Sequence, residues 1–146
     1  MKTIYDNERG CIIVIDPAKI SNMSNQYIID KLLHEVVHAV TVNAIVNPKT
    51  SIEREFQKEN NKIYRVYDNV FSPNRYNRNG IFYGLTNERE FAAEFITNMD
   101  FRNMLYLKAV ELDKTSNGRF GKIFKRALNS ISRLLINETL FKSNVE

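Results

Sequence analysis

The side chains best suited to bind a transition metal here are the histidines, and they occur together once. The chain has only two histidines, and both fall in His34-Glu35-Val36-Val37-His38. Residues i and i+4 of a helix project from one face a turn apart, so two imidazoles at this spacing can share one Zn²⁺. Glu35 sits about 100° further round the helix, within reach of a water at the metal but outside the ligand set. A carboxylate there can take that water's proton and pass it to a departing amine. The plain alternative is a pair of hydrogen-bonded core histidines. A cluster of His-Glu-His in an apolar helix is costly, however, unless its members are paired or hold a metal.

A catalytic zinc takes three protein ligands and keeps a fourth position open. With no third histidine and a single cysteine, Cys11, the remaining ligand must be Asp or Glu. The three-histidine extension of the motif is absent, because Thr41 and Ala44 occupy its Gly and His places. The best carboxylate source is the segment Asn87-Glu88-Arg89-Glu90-Phe91-Ala92-Ala93-Glu94-Phe95. Glu90 and Glu94 are one helical turn apart, and Ala92-Ala93 lets a second helix approach closely. One of the two can bind the metal while the other accepts the outer N–H of a ligand histidine. Asn87 followed by Glu90 also fits a capping-box variant, a purely structural role.

These elements must be positioned by the rest of the chain. With 146 residues, one cysteine and 43% hydrophobic residues, the sequence reads as a single domain over 1–146 that needs no disulfide framework. No apolar stretch approaches the ~20 residues of a membrane helix. The opening Met1–Asp6 does not read as a secretion signal, so a cytoplasmic or phage/virion-associated location is expected. A net charge of +4 is mild. Lys2–Tyr5 and Cys11–Ile15 flank the turn-forming segment 6–10 and predict a β-hairpin. The continuously apolar Cys11–Ile15 is expected to be covered on both faces. A helix is predicted from about Ser24 to Ala44, stopped by Asn47-Pro48. Its apolar positions wrap so much of the circumference that it is expected inside the protein. A third element, about Ser51–Tyr67, carries Ile52, Phe56, Ile63 and Tyr67 on one stripe. Ser72–Gly80 has loop composition, a cleft rim or simply a solvated loop, and a short extended run follows at Ile81–Tyr83. Asn87 then caps a helix through about Thr97. Helical pattern resumes from Phe101, and after Gly118 a last helix with Phe120, Ile123, Phe124, Ala127, Leu128, Ile131, Leu134 and Leu135 forms a backing layer. The expected class is α+β, predominantly helical, with a small N-terminal sheet.

His34–His38 together with Tyr83-Gly84-Leu85-Thr86-Asn87-Glu88-Arg89-Glu90-Phe91-Ala92-Ala93-Glu94-Phe95 resembles the catalytic domain of anthrax lethal factor and related zinc metallopeptidase domains. These include proline-proline endopeptidases and domains embedded in phage polyproteins. The likeness extends over about Asn25–Leu105. Val37 stands where members of that family usually have Gly. The resemblance implies a zincin-like core of the HExxH…E type and one Zn²⁺ per chain held by His34, His38 and Glu90. It places Glu94 behind the ligands, Glu35 as general base and acid, and Tyr83 as hydrogen-bond donor to the zinc water or the developing oxyanion. The expected activity is zinc-dependent endopeptidase cleavage of a polypeptide substrate. The competing reading is a non-catalytic, zinc-stabilised binding module whose last helix offers Arg119, Lys122, Lys125, Arg126 and Arg133 to nucleic acid or an acidic protein. Against a nucleic-acid partner, Glu111, Asp113 and Glu138 interrupt the charge and no nucleic-acid motif is present.

Overall fold

A computed structural model describes residues 1–6, 10–74 and 77–145, with the side chains of 5–11, 74–76 and 138–146 outside the description. The hairpin turn at 7–9, the Cys11 and Glu138 side chains and part of the Ser72–Gly80 segment therefore lie outside the described residues. The chain begins with strands β1 (Lys2–Asp6) and β2 (Gly10–Val14). They pair antiparallel in the register Lys2 to Val14, Thr3 to Ile13 and Ile4 to Ile12. Six helices follow: α1 (Pro17–Ile20), α2 (Asn25–Val46), α3 (Ser51–Val70), α4 (Glu88–Thr97), α5 (Met99–Ser116) and α6 (Arg119–Val145). The protein is predominantly helical with one two-stranded sheet, and among the described residues no helix is long and apolar enough to cross a membrane.

Local chemistry sets the boundaries. Ser24 and Thr50 accept the backbone N–H of Tyr27 and Glu53 and start α2 and α3. Asn87 does the same for α4 through Glu90 N–H. Asn98 ends α4 and caps α5 by accepting the Phe101 N–H. The α5–α6 corner turns on Asn117 and Gly118, whose φ angles of 53° and 76° are left-handed. Two N–H groups in the first turn of α6, those of Phe120 and Gly121, are accepted by the Asp113 carboxylate.

The core forms where α3, α4, α5 and α6 meet. Phe56, Ile63 and Tyr67 of α3 face Phe91 and Phe95 of α4, Phe101 and Leu105 of α5, and Ile123, Ala127 and Leu134 of α6. Phe91 packs edge-on against Phe101 and stacks on Phe95, with centroids 5.6 and 5.5 Å away. The Tyr67 hydroxyl is satisfied within this core by the Leu105 carbonyl at 2.7 Å. The backing-layer role expected of the last helix holds.

Three expectations are corrected. α2 is not an interior helix: it buries His34, Thr41, Ala44 and Ile45 against its neighbours but leaves Ile29 and Leu33 50% exposed. A two-stranded sheet is too narrow to cover both flanks of a helix apolar around most of its circumference. For the same reason β2 is not covered on both faces, and Val14 and the following Ile15 are exposed. The run Ile81–Tyr83 is not extended but lies in a 3-10 turn, Gly80–Leu85, entered through Gly80 at φ 55°. Part of the loop before it, Ser72–Asn74, is also a 3-10 turn.

Candidate metal centre

α2 and α4 pack side by side, and this contact brings the two sequence motifs together. His34 lies one turn before His38 on the face of α2 that meets α4, and Glu90 lies in the first turn of α4. His34 Nε2 is 3.0 Å from His38 Nε2, and Glu90 Oε2 is 3.0 Å from the former and 3.2 Å from the latter. Three ligand atoms thus converge on one point, and His34, His38 and Glu90 form a group that could hold a metal ion. A tetrahedral zinc with bonds near 2.0–2.1 Å separates its ligand atoms by about 3.3 Å. The observed triangle is within a few tenths of an ångström of that size, so the residues fit a zinc ion. Burial of His34 keeps bulk water from solvating this concentration of donors.

Glu94 stands one turn beyond Glu90 and meets the other nitrogen of the same ring, with His34 Nδ1 to Glu94 Oε1 at 3.1 Å. Its second oxygen accepts from Asn98 Nδ2 at 2.7 Å. Glu94 therefore fixes the orientation of His34 from behind while Nε2 faces the triad. The electrostatics follow the geometry. Burial alone would depress the His34 imidazole, but the Glu90 and Glu94 carboxylates outweigh it and push His34 up to about 9. Burial would likewise raise Glu90, yet the two histidines hold its carboxyl well below the usual carboxylate range. Glu94 is lowered too, against its own burial, by His34 and the Asn98 amide.

Glu35 and Tyr83 face the same space. A cavity of about 420 Å³ is lined by His34, Glu35, His38, Tyr83 and Glu90, with Thr3 of β1 and Arg89 at its sides. The Thr3 hydroxyl donates to the Glu35 carboxylate and lies 3.0 Å from the Glu35 backbone carbonyl. Tyr83 is 38% exposed, and its ring centroid is 6.2 Å from that of His34. Partial burial, followed by the charge and hydrogen bonding of Glu90, pushes its phenol up to about 12. The side chain is thus a hydroxyl donor at neutral pH. The 3-10 turn holding Tyr83 is seated by Gly84. A Cβ at that position would come within 2.6 Å of the Phe101 ring and 2.9 Å of Glu94 Cβ.

All six residues singled out from the sequence (His34, Glu35, His38, Tyr83, Glu90 and Glu94) lie at one site. Two contributors escaped sequence reading, Thr3 and Asn98. Nothing local marks Thr3, which meets Glu35 only through the packing of the hairpin on α2. Asn98 is readable as a helix cap, but its second bond to Glu94 is not. A larger cavity, about 530 Å³, lies elsewhere on α2, between Ile13, Val40 and Leu134, and contains none of these groups. Comparison with family models, with curated proteins and with solved structures finds no match to this chain.

Proposed function

We propose that the protein is a zinc-dependent endopeptidase with a zincin-like catalytic core, as its resemblance to the lethal factor catalytic domain implies. The observation that carries this reading is the convergence of His34, His38 and Glu90 in a cavity that also holds Glu35 and Tyr83. A purely structural zinc site is usually closed by four Cys or His ligands and needs no free carboxylate beside it. When bound, a zinc ion supplies Lewis acidity, lowering the pKa of a water and polarising a scissile carbonyl. Glu35 accepts the proton of the attacking water and returns it to the departing amine, and Thr3 orients the carboxylate for that exchange. Tyr83, protonated at neutral pH, donates a hydrogen bond to the oxyanion as charge develops, an interaction worth about 3 kcal/mol in other hydrolases. Glu94 holds the His34 ring in the tautomer that presents Nε2 to the metal. Residues 1–3 line the cavity, and among the described residues β1 pairs only with β2. An extended peptide would find unpaired strand backbone there.

The test combines elemental analysis of zinc per chain with cleavage of a peptide library, in the parent and in Glu35→Gln. The expected result is near-stoichiometric zinc in both proteins and cleavage only in the parent. Absence of zinc after reconstitution would overturn the reading. So would unchanged cleavage in Glu35→Gln. Zinc bound without cleavage in the parent would favour the zinc-stabilised binding module instead.

A further inference from the structure

A further cavity, about 330 Å³, lies at the α5–α6 corner and shares no residue with the metal centre. Its walls carry Lys62 from α3 and Arg119, Lys122 and Arg126 from α6. Ile123 forms the floor, while Ser116 and Asn117 add polar groups at the rim. No carboxylate lines it. Asp113, close by on α5, is engaged with the Phe120 and Gly121 N–H groups between Arg119 and Lys122. None of the four cations forms a salt bridge among the described residues.

All four cations are exposed, so solvent screens their mutual repulsion, and they remain available to an anion from outside the fold. The spacing is regular: Arg119, Lys122 and Arg126 follow one flank of α6 at i, i+3 and i+7, and Lys62 faces them from α3. The positive surface is also local. Two turns beyond Arg126, Arg133 is neutralised by Glu55 at 2.8 Å, which ends the stripe. A long polyanion lying along α6 would meet that pair, whereas a compact one fits the cup. Guanidinium groups match phosphate oxygens in fork geometry, and lysines add point charges.

We infer that this cup binds a compact anion bearing several phosphate groups, through Lys62, Arg119, Lys122 and Arg126. The site is independent of the peptidase reading. The same chemistry is offered by a free polyphosphate chain or by the phosphates of a nucleic acid, and titration of the full chain distinguishes them. Calorimetry at low and moderate salt would use inorganic tripolyphosphate and, separately, a short oligothymidylate. The expected result is one tripolyphosphate per chain, with affinity falling about tenfold or more in the double variant Lys122→Gln/Arg126→Gln. Binding should be unchanged in Lys108→Gln, which lies outside the cup, and in the parent chain stripped of metal with a chelator and then dialysed, which removes capture by a metal at the other site. Circular dichroism would check that the double variant keeps its helical content. Three results would overturn the proposal: no tripolyphosphate binding up to millimolar concentration, equal losses in Lys108→Gln, or loss of binding in the metal-stripped parent. Oligothymidylate binding that is as sensitive to Lys125→Gln as to the cup variants would also overturn it, because the site would then be a diffuse surface.

Discussion

Glu90 and Glu94 are equivalent in sequence, one turn apart on α4, yet the structure gives them different work, and the variant Glu94→Gln separates the two roles. Glu94 touches His34 Nδ1 at 3.1 Å, and the two side chains are only 10% and 15% exposed, so solvent screens the contact weakly. Glutamine can still offer its carbonyl to His34. Its NH₂ group must then face Asn98 Nδ2, which now donates to Glu94 Oε2 at 2.7 Å. The substitution removes a charge and sets two donors against each other. Loss of such an outer partner costs about 10- to 100-fold in metal affinity, or about 1.4–2.8 kcal/mol. Glu90→Gln, which weakens a ligand itself, should cost more. Adding Asn98→Asp to Glu94→Gln restores an acceptor for the glutamine NH₂ and should recover part of the loss, since Asp caps α5 as well as Asn does. Competition against a chromophoric zinc chelator gives the affinities, with circular dichroism as a check on folding. The reasoning is refuted if Glu94→Gln loses as much affinity as Glu90→Gln, or if Asn98→Asp deepens the loss.

Two further outcomes follow from the same contacts. In the metal-free protein the raised His34 contributes stability fully below pH 6.5 and loses it as pH rises through about 9. The lowered Glu90 contributes above pH 4.5 and loses its share as pH falls below that. The ion-free Tm should therefore decline from near neutral pH toward 9, whereas added zinc, which displaces the His34 proton, should raise the Tm most on the alkaline side. A zinc-induced rise that is the same at every pH would contradict this. Gly84→Ala places a methyl group within 2.6 Å of Phe101 and should cost about 1–3 kcal/mol in urea unfolding; an unchanged midpoint would show that the turn yields freely.

The site was more legible in the sequence than the packing that surrounds it. Ligand spacing within a helix is local geometry, so His34 and His38 could be paired on paper, and the ligand count zinc requires pointed to the acids of α4. The caps at Ser24 and Asn87 and the break at Gly118 are equally local. What could not be read is how much apolar surface the hairpin covers. That depends on the number of strands, and α2 was expected to be buried where Ile29 and Leu33 are half exposed. The turn at Gly80–Leu85 misled for another reason. Ile81-Phe82-Tyr83 has strand-like composition, but among the described residues no strand pairs with it, and it lies in a 3-10 turn whose Gly84 packs closely on Phe101. Thr3 and Asn98 act on residues brought near them by tertiary packing or across a helix boundary, which composition does not encode.

Phe101 occupies an unusual place in this arrangement. Its backbone N–H bonds to Asn98, whose amide holds Glu94 behind His34, and its ring is the surface on which Gly84, next to Tyr83, is seated. Both flanks of the site are thus joined through one fully buried residue of the core, one by its backbone and the other by its ring. In evolutionary terms, position 84 is held from two sides, since a side chain there meets both the Phe101 ring and the Glu94 Cβ. A smaller residue at 101 would relieve only one of these contacts and would leave the tyrosine turn without its seat. Sequences descended from this one should therefore keep the glycine whether or not the ring at 101 changes.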